Sequence, residues 1–132
     1  MSSVATHLGR TKTNNFSGID IPVLDKFCVG KRVLDIGCAN GDVVKYLTSK
    51  ETEAYGIDGD TDAVNLYADN DIKQNLFCHD YTLGPSNFKK DIDVVISTDF
   101  CEHIEEQFID NYMTDFTLGD IVILHTPPKG TP

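Results

Sequence analysis

The sequence predicts an α/β domain built on a parallel sheet, and three observations carry that prediction. Short strand-like runs alternate with helix-patterned segments, which implies a parallel sheet joined by right-handed crossovers. The strand interiors are apolar, which suits burial on both faces. The stretch Val33-Leu34-Asp35-Ile36-Gly37-Cys38-Ala39-Asn40-Gly41 runs from an apolar strand through a small-residue loop straight into a helix pattern at Val43, Val44, Tyr46 and Leu47.

The 132 residues suffice for one domain that hides roughly two thirds of its unfolded surface, and a hydrophobic share of 40% is that of a globular chain. With 21 acidic against 11 basic residues the formal net charge is −10. Phosphate backbones and anionic membranes repel such a chain, so free nucleic acid and membrane are not expected partners. No segment approaches the length of a membrane-spanning helix, and Met1 to Asn15 lacks the apolar centre of a secretory signal. Cys28, Cys38, Cys78 and Cys101 are widely spaced with no Cys-x-x-Cys, as expected of small buried hydrophobes in a reducing, cytoplasmic compartment.

Taken in order, residues 1–17 carry no periodicity and read as a flexible N-terminal arm, with one domain over 18–132. Ile21, Leu24, Phe27 and Cys28 suit a short helix, with Pro22 in its first turn and Gly30 as its stop. A strand over 32–36 and a helix over 41–50 follow. Residues 53–58 read as the second strand, and Asp60 or Thr61 caps a helix through Ala63, Val64, Leu66 and Tyr67. Residues 76–78 form a short third strand ending at His79-Asp80. A loop through Gly84-Pro85-Ser86 leads to a fourth strand over 92–96. Ile104, Phe108, Ile109, Tyr112, Met113 and Phe116 then mark the core-facing stripe of a long amphipathic helix. Gly119 ends that helix, and 121–124 is the fifth strand.

Two features of the loop after the first strand point to a ligand. Gly37 and Gly41 lack a Cβ, so the backbone turns sharply and a ligand can approach it. The helix beginning near Asp42 aims unpaired N–H groups back at that ligand. Asp58 lies 21 positions after Gly37 at the end of the second strand, where an acid can accept both hydroxyls of a ribose. Its bland alternative is a turn acid in Asp58-Gly59-Asp60.

Val-Leu-Asp-Ile-Gly-Cys-Ala-Asn-Gly resembles the first motif of the class I S-adenosylmethionine-dependent methyltransferases, with Ala39 at the middle glycine. The resemblance runs from about Lys31 to Thr126. It implies a Rossmann-like, three-layer α/β/α fold with a mostly parallel five-stranded sheet in the order 3-2-1-4-5. It also implies methyl transfer from S-adenosylmethionine to an oxygen or nitrogen acceptor, a small molecule in this reading, with S-adenosylhomocysteine as product. The cofactor-binding residues it implies are Asp35, Gly37, Cys38, Ala39, Gly41, Asp58, Gly59, Asp80, Tyr81, Ser97 and Thr98. Among these, Asp35 is the acid near the methionine amino group, Asp80 accepts from the adenine amino group, and Tyr81 packs against the base.

Ser97-Thr98-Asp99-Phe100-Cys101-Glu102-His103-Ile104 looks like the family's motif after the fourth strand. Asp99, Glu102 and His103 stand at i, i+3 and i+4 and share one helix face. The plain reading is a helix start capped by Asp99 with Glu102 reaching back. The alternative is a divalent-metal site, since the pattern resembles the ligand set of ubiquinone-pathway O-methyltransferases and small-RNA 2′-O-methyltransferases. The capping reading is preferred, because most members with Glu-His here bind no metal and Asp99 is shorter than the usual glutamate. His103 is the candidate general base, and His125, leaving the fifth strand, is a second.

The chain departs from the family pattern after the fifth strand, where a helix and a hairpin of two further strands normally follow. Without them the apolar fifth strand is an open edge, so a second copy or a partner chain is expected to cover it. Two other functions compete. A non-catalytic S-adenosylmethionine-binding subunit or remnant needing a partner chain shares every cofactor residue. A nicotinamide-dependent oxidoreductase is disfavoured, because the loop lacks Gly-x-Gly-x-x-Gly and Asp35 would face a pyrophosphate.

Overall fold

The computed structural model describes residues 15–16, 19–98 and 105–125. Two two-residue strands, β1 (Asn15–Phe16) and β2 (Ile19–Asp20), pair antiparallel. They lead into α1 (Ile21–Phe27), which buries Leu24 and keeps Pro22 exposed in its first turn. Past its end Gly30 takes φ 83°, and its N–H donates to Thr52 Oγ1 at 2.9 Å. That conformation is the one glycine adopts without strain.

The main sheet has five strands: β3 (Arg32–Ile36), β4 (Glu53–Asp58), β5 (Leu76–Cys78), β6 (Val94–Thr98) and β7 (Ile121–His125). Their spatial order is β5-β4-β3-β6-β7, and every pairing is parallel. Counted within the sheet, this is the expected 3-2-1-4-5. The two helices α2 (Asp42–Ser49) and α3 (Ile109–Phe116) complete the frame.

Strand alternation sorts the core into two layers. Val33, Ala54, Val94 and Ile96 face a cluster made with Leu24, Cys28, Val43, Val44, Leu47, Val64 and Ile72. Leu34, Ile36, Ile57 and Val95 face the opposite cluster with Tyr81, Ile92 and Phe116. A fully buried leucine such as Leu34 contributes about 2 kcal/mol through removal of its surface from water.

The structure corrects four expectations. The fourth strand spans Val94–Thr98 rather than 92–96. Asp93 is a junction instead: its N–H donates to the Arg32 carbonyl, its carbonyl accepts from Asp120 and Ile121, and its carboxylate holds the Arg32 guanidinium. The segment after β4 winds as a π-helix over Ala63–Tyr67 and leaves Leu66 and Tyr67 exposed. The Asp60 carboxylate caps it, accepting from the N–H groups of Asp62 at 3.0 Å and Ala63 at 3.2 Å.

The expected long helix is, among the described residues, a 3-10 turn (Glu106–Phe108) followed by α3. Its inward face is Tyr112, Asp115 and Phe116, whereas Ile109 and Met113 are exposed. The fifth strand runs one residue further than expected, so His125 ends β7 rather than leaving it, opposite Thr98. Ile121, Val122 and Leu124 are exposed along β7, which among the described residues has a strand neighbour only on its β6 side.

Candidate functional site

The carboxyl ends of β3 and β4 meet at the small-residue loop. Gly37 and Cys38 donate their N–H groups to the Ile57 carbonyl at 2.7 and 3.1 Å, which locks the loop to the end of β4. Gly37, Ala39 and Gly41 all adopt left-handed conformations, with φ of 82°, 53° and 88°. For Ala39 this is an uncommon state, and it is held by a specific bond: its N–H donates to Asp58 Oδ2 at 2.7 Å. Asp58 Oδ1 accepts from the Asp60 N–H at 2.7 Å. The turn reading of Asp58 therefore holds, and among the described residues each of its two oxygens accepts one backbone N–H. Gly59 follows, exposed, with room for a Cβ only at contact distance from the His79 carbonyl.

Asp35 is 3% exposed, and its Oδ1 has no hydrogen-bond partner among the described residues. Burial, aided by the Asp58 charge, pushes its carboxyl up to about 7. A buried carboxylate with an orphaned oxygen is a cost that a cationic partner removes. Cys38 is buried beside it, and burial together with Asp35 pushes its thiol well above the ordinary range, so it stays protonated and inert.

Two glycines make room here. A Cβ on Gly41 would stand 2.8 Å from Ile72 Cδ1. A Cβ on Gly56 would stand 2.6 Å from Cys38 Sγ and 2.7 Å from Cys38 Cβ. Gly56 is a site residue that sequence reasoning missed, although an isolated glycine inside a strand is the signal of such a close approach. Gly41 also caps α2 without any side-chain bond, so Gly41 itself supplies no side-chain acceptor to the first-turn N–H groups of α2. A polar cavity of about 450 Å³ runs from Asn40, Gly41 and Asp42 past Lys45 to the 66–73 segment, and Asp35, Asp58 and Asp80 do not line it.

Asp80 follows β5 and caps the 3-10 turn Tyr81–Leu83. Its Oδ1 accepts from the Thr82 N–H at 2.9 Å and the Thr82 hydroxyl at 2.7 Å, and these bonds lower its pKa. Tyr81 is turned inward: it stacks on Tyr112 with ring centroids 4.2 Å apart and donates its hydroxyl to Asp115. Ser97 and Thr98, buried at the end of β6, pair with Leu124 and His125 of β7. Asp115 and Asn111, which hold Tyr81 from α3, are further residues the sequence pattern missed.

Asp99, Glu102 and His103 lie outside the described residues, and so do the capping and metal readings that rest on them. Among the described residues no cluster of three or more His, Cys, Asp or Glu side chains could hold a metal. None of their helices is long and apolar enough to cross a membrane.

The 37–41 loop, Asp35, Asp58 and Asp80 thus all lie toward the carboxyl-terminal end of the parallel sheet, Asp35 buried and Asp80 exposed.

A family model described as "Methyltransferase domain" matches residues 15–116. No curated protein matches the chain by sequence. Among solved structures, a TehB-like SAM-dependent methyltransferase from Corynebacterium glutamicum is similar with a TM-score of 0.65 and 20% identity, over 87% of this chain and 65% of that one. The methyltransferase domain of a bacterial Hen1, CtHen1-CN, is similar with a TM-score of 0.61 and 19% identity, over 83% and 63%. The glycopeptide N-methyltransferase MtfA, complexed with S-adenosyl-L-methionine, gives 0.58 and 13%, over 75% and 44%. The chain therefore spans less than two thirds of each of these three proteins.

Proposed function

Because the chain belongs to the methyltransferase-domain family, we propose that it binds S-adenosylmethionine across the 37–41 loop and transfers the methyl group to an oxygen or nitrogen of a small-molecule acceptor. The observation that carries this reading is the pair Asp35 and Asp58 around a left-handed loop: among the described residues one oxygen of the buried Asp35 carboxylate lacks a partner, and each Asp58 oxygen at the end of β4 accepts only one hydrogen bond. S-adenosylmethionine would supply an electrophilic methyl on its sulfonium, passing to an acceptor lone pair as the methyl–sulfur bond breaks and S-adenosylhomocysteine leaves.

In this reading Asp58 accepts from the ribose hydroxyls and Asp80 from the adenine amino group. Asp35 faces the methionine ammonium, and the backbone from Gly37 to Gly41, with Gly59, lies beneath the ligand. Ser97 and Thr98 close the β6 side. The chain's work is mostly alignment. His103 or His125 takes the acceptor's proton where the acceptor is a poor nucleophile. No resident metal is required for these steps.

A second reading, a binding subunit that needs a partner chain for activity, is favoured by the exposed apolar edge at Ile121, Val122 and Leu124. Either way a second copy or another chain covers β7. A reducing, cytoplasmic setting fits the free thiols Cys28, Cys38 and Cys78, the first two buried.

Calorimetric titration tests the proposal. S-adenosylhomocysteine is expected to bind the wild-type chain at micromolar concentration, NAD not at all, and Asp58→Ala is expected to lose the adenosyl ligand. A folded wild-type sample that ignores S-adenosylhomocysteine would refute it.

A further inference from the structure

Asp115 is fully buried, and Oδ1 of its carboxylate has no partner among the described residues. A carboxylate in an interior flanked by Tyr112 and Phe116 is costly, and a leucine there would serve packing better. What the carboxylate does instead is hold two hydroxyls: Oδ2 accepts from Tyr81 at 2.5 Å and from Ser86 at 2.5 Å. One turn earlier on the same face, Asn111 Nδ2 donates to the Tyr81 carbonyl at 2.7 Å. Helix α3 therefore grips a single residue by its backbone and by its phenol.

The Tyr81 ring has no freedom to escape that grip. It stacks on Tyr112 and meets His79 edge-on at 4.8 Å. Burial, with Asp115 behind it, pushes the phenol far above its ordinary range, so it remains a donor. Ser86 closes the loop from the other side, its hydroxyl accepting from the Phe88 N–H at 3.1 Å. Asp80 immediately precedes Tyr81, and both of its bonds to Thr82 fall on Oδ1. Oδ2 accepts from none of the described residues, and Asp80 is exposed.

We infer that Asn111 and Asp115 are positioning residues for Asp80, which set how sharply that carboxylate tells an amino-bearing purine from a carbonyl-bearing one. The inference rests on the reading above in which Asp80 accepts from the adenine amino group. Its physical core is that a hydrogen bond discriminates only when its acceptor is held in place.

The experiment compares S-adenosylhomocysteine with S-inosylhomocysteine by calorimetry on the full chain. The two ligands differ only on the base edge that Asp80 would read, at C6 (amino against carbonyl) and at N1, which carries a proton only in the inosyl ligand. Wild-type protein is expected to prefer the adenosyl ligand by about tenfold or more. Asn111→Ala and Asp115→Leu are expected to bring that ratio toward one, by weakening the adenosyl ligand while leaving the inosyl ligand within about twofold. Asp115→Asn, which keeps an acceptor oxygen for both hydroxyls, is expected to retain most of the preference.

Equal losses for both ligands would mean a general structural role and overturn the inference, as would an unchanged ratio in Asn111→Ala. A wild-type chain that binds both ligands equally overturns it at Asp80. Failure of the folded wild type to bind either ligand instead removes the cofactor reading itself. Asn111 is only half-buried, so its variant keeps the test open even where Asp115→Leu does not fold.

Discussion

Replacing Asp35 by asparagine should make this protein more stable, and increasingly so as pH rises. In the folded chain its carboxyl titrates at about 7 instead of the ordinary 3.8, because it is buried and faces Asp58. At roughly 1.4 kcal/mol per pH unit that rise is worth about 4 kcal/mol. The sign follows from proton counting. Between the unfolded and folded pKa values the native state holds a proton that the unfolded chain has released, so stability falls as pH rises through that window. Below about pH 4 the penalty is absent, and above about pH 7 it is complete.

The asparagine variant carries no such penalty. Its melting temperature should therefore exceed that of wild type by on the order of 10 °C at pH 8, and the gap should close toward pH 4. Thermal melts at half-unit steps from pH 4 to pH 8.5 read the difference directly. Profiles that run parallel between pH 5 and pH 8 would refute the argument. The same carboxylate should make binding pH-dependent with the opposite sense. S-adenosylhomocysteine affinity should rise up to about tenfold per pH unit up to pH 7 in wild type and stay weak and flat in Asp35→Asn.

Further expectations concern the scaffold. Gly56→Ala drives a Cβ to 2.6 Å from Cys38 Sγ and should lose about 2 kcal/mol in urea unfolding, partly recovered by adding Cys38→Gly. Asp93, gripped by the Arg32 guanidinium and backbone N–H, titrates at about 2, and in Arg32→Gln a carbon-detected NMR titration should find it back toward the ordinary carboxylate range. An unchanged titration would show that the pair does not persist in solution. Light scattering at micromolar concentration should give a mass of two chains or more, reduced to one by Val122→Lys on the open edge of β7; a monodisperse wild-type monomer contradicts the covered-edge proposal.

The sheet is legible in the sequence because its strands are buried on both faces and separated by helix patterns, so Val33, Leu34, Val94 and Val95 announce themselves by composition. The position of Asp58 at the end of β4 is legible from its spacing to Gly37. What escapes are long-range ties. Nothing local reveals that the Asp58 carboxylate reaches back to the Ala39 N–H, or that Asp93 belongs to Arg32 rather than to a strand. The helix stripe misleads for a related reason. Periodicity makes Ile109 and Met113 core and Asp115 solvent, but Tyr81 and Ser86 arrive from a loop some thirty residues away and convert the Asp115 side into the inner face.

The central position of β3 also dictates a schedule for folding. On one side β3 pairs with β4, its near neighbour in the chain, over the full length from Arg32↔Glu53 to Ile36↔Ile57. On its other side the partner is β6, and the Arg32 contact that leads into that pairing spans 61 positions. Loop closure of that length is entropically slow and is rewarded only once it is complete. A chain leaving the ribosome can therefore assemble α1, β3, α2 and β4 early, but it carries one unpaired apolar flank until Val94–Thr98 emerges. Until then Val33 and Leu34 depend on whatever shields that flank in the cell, and the Arg32–Asp93 contact is the first point at which the two halves of the sheet can register.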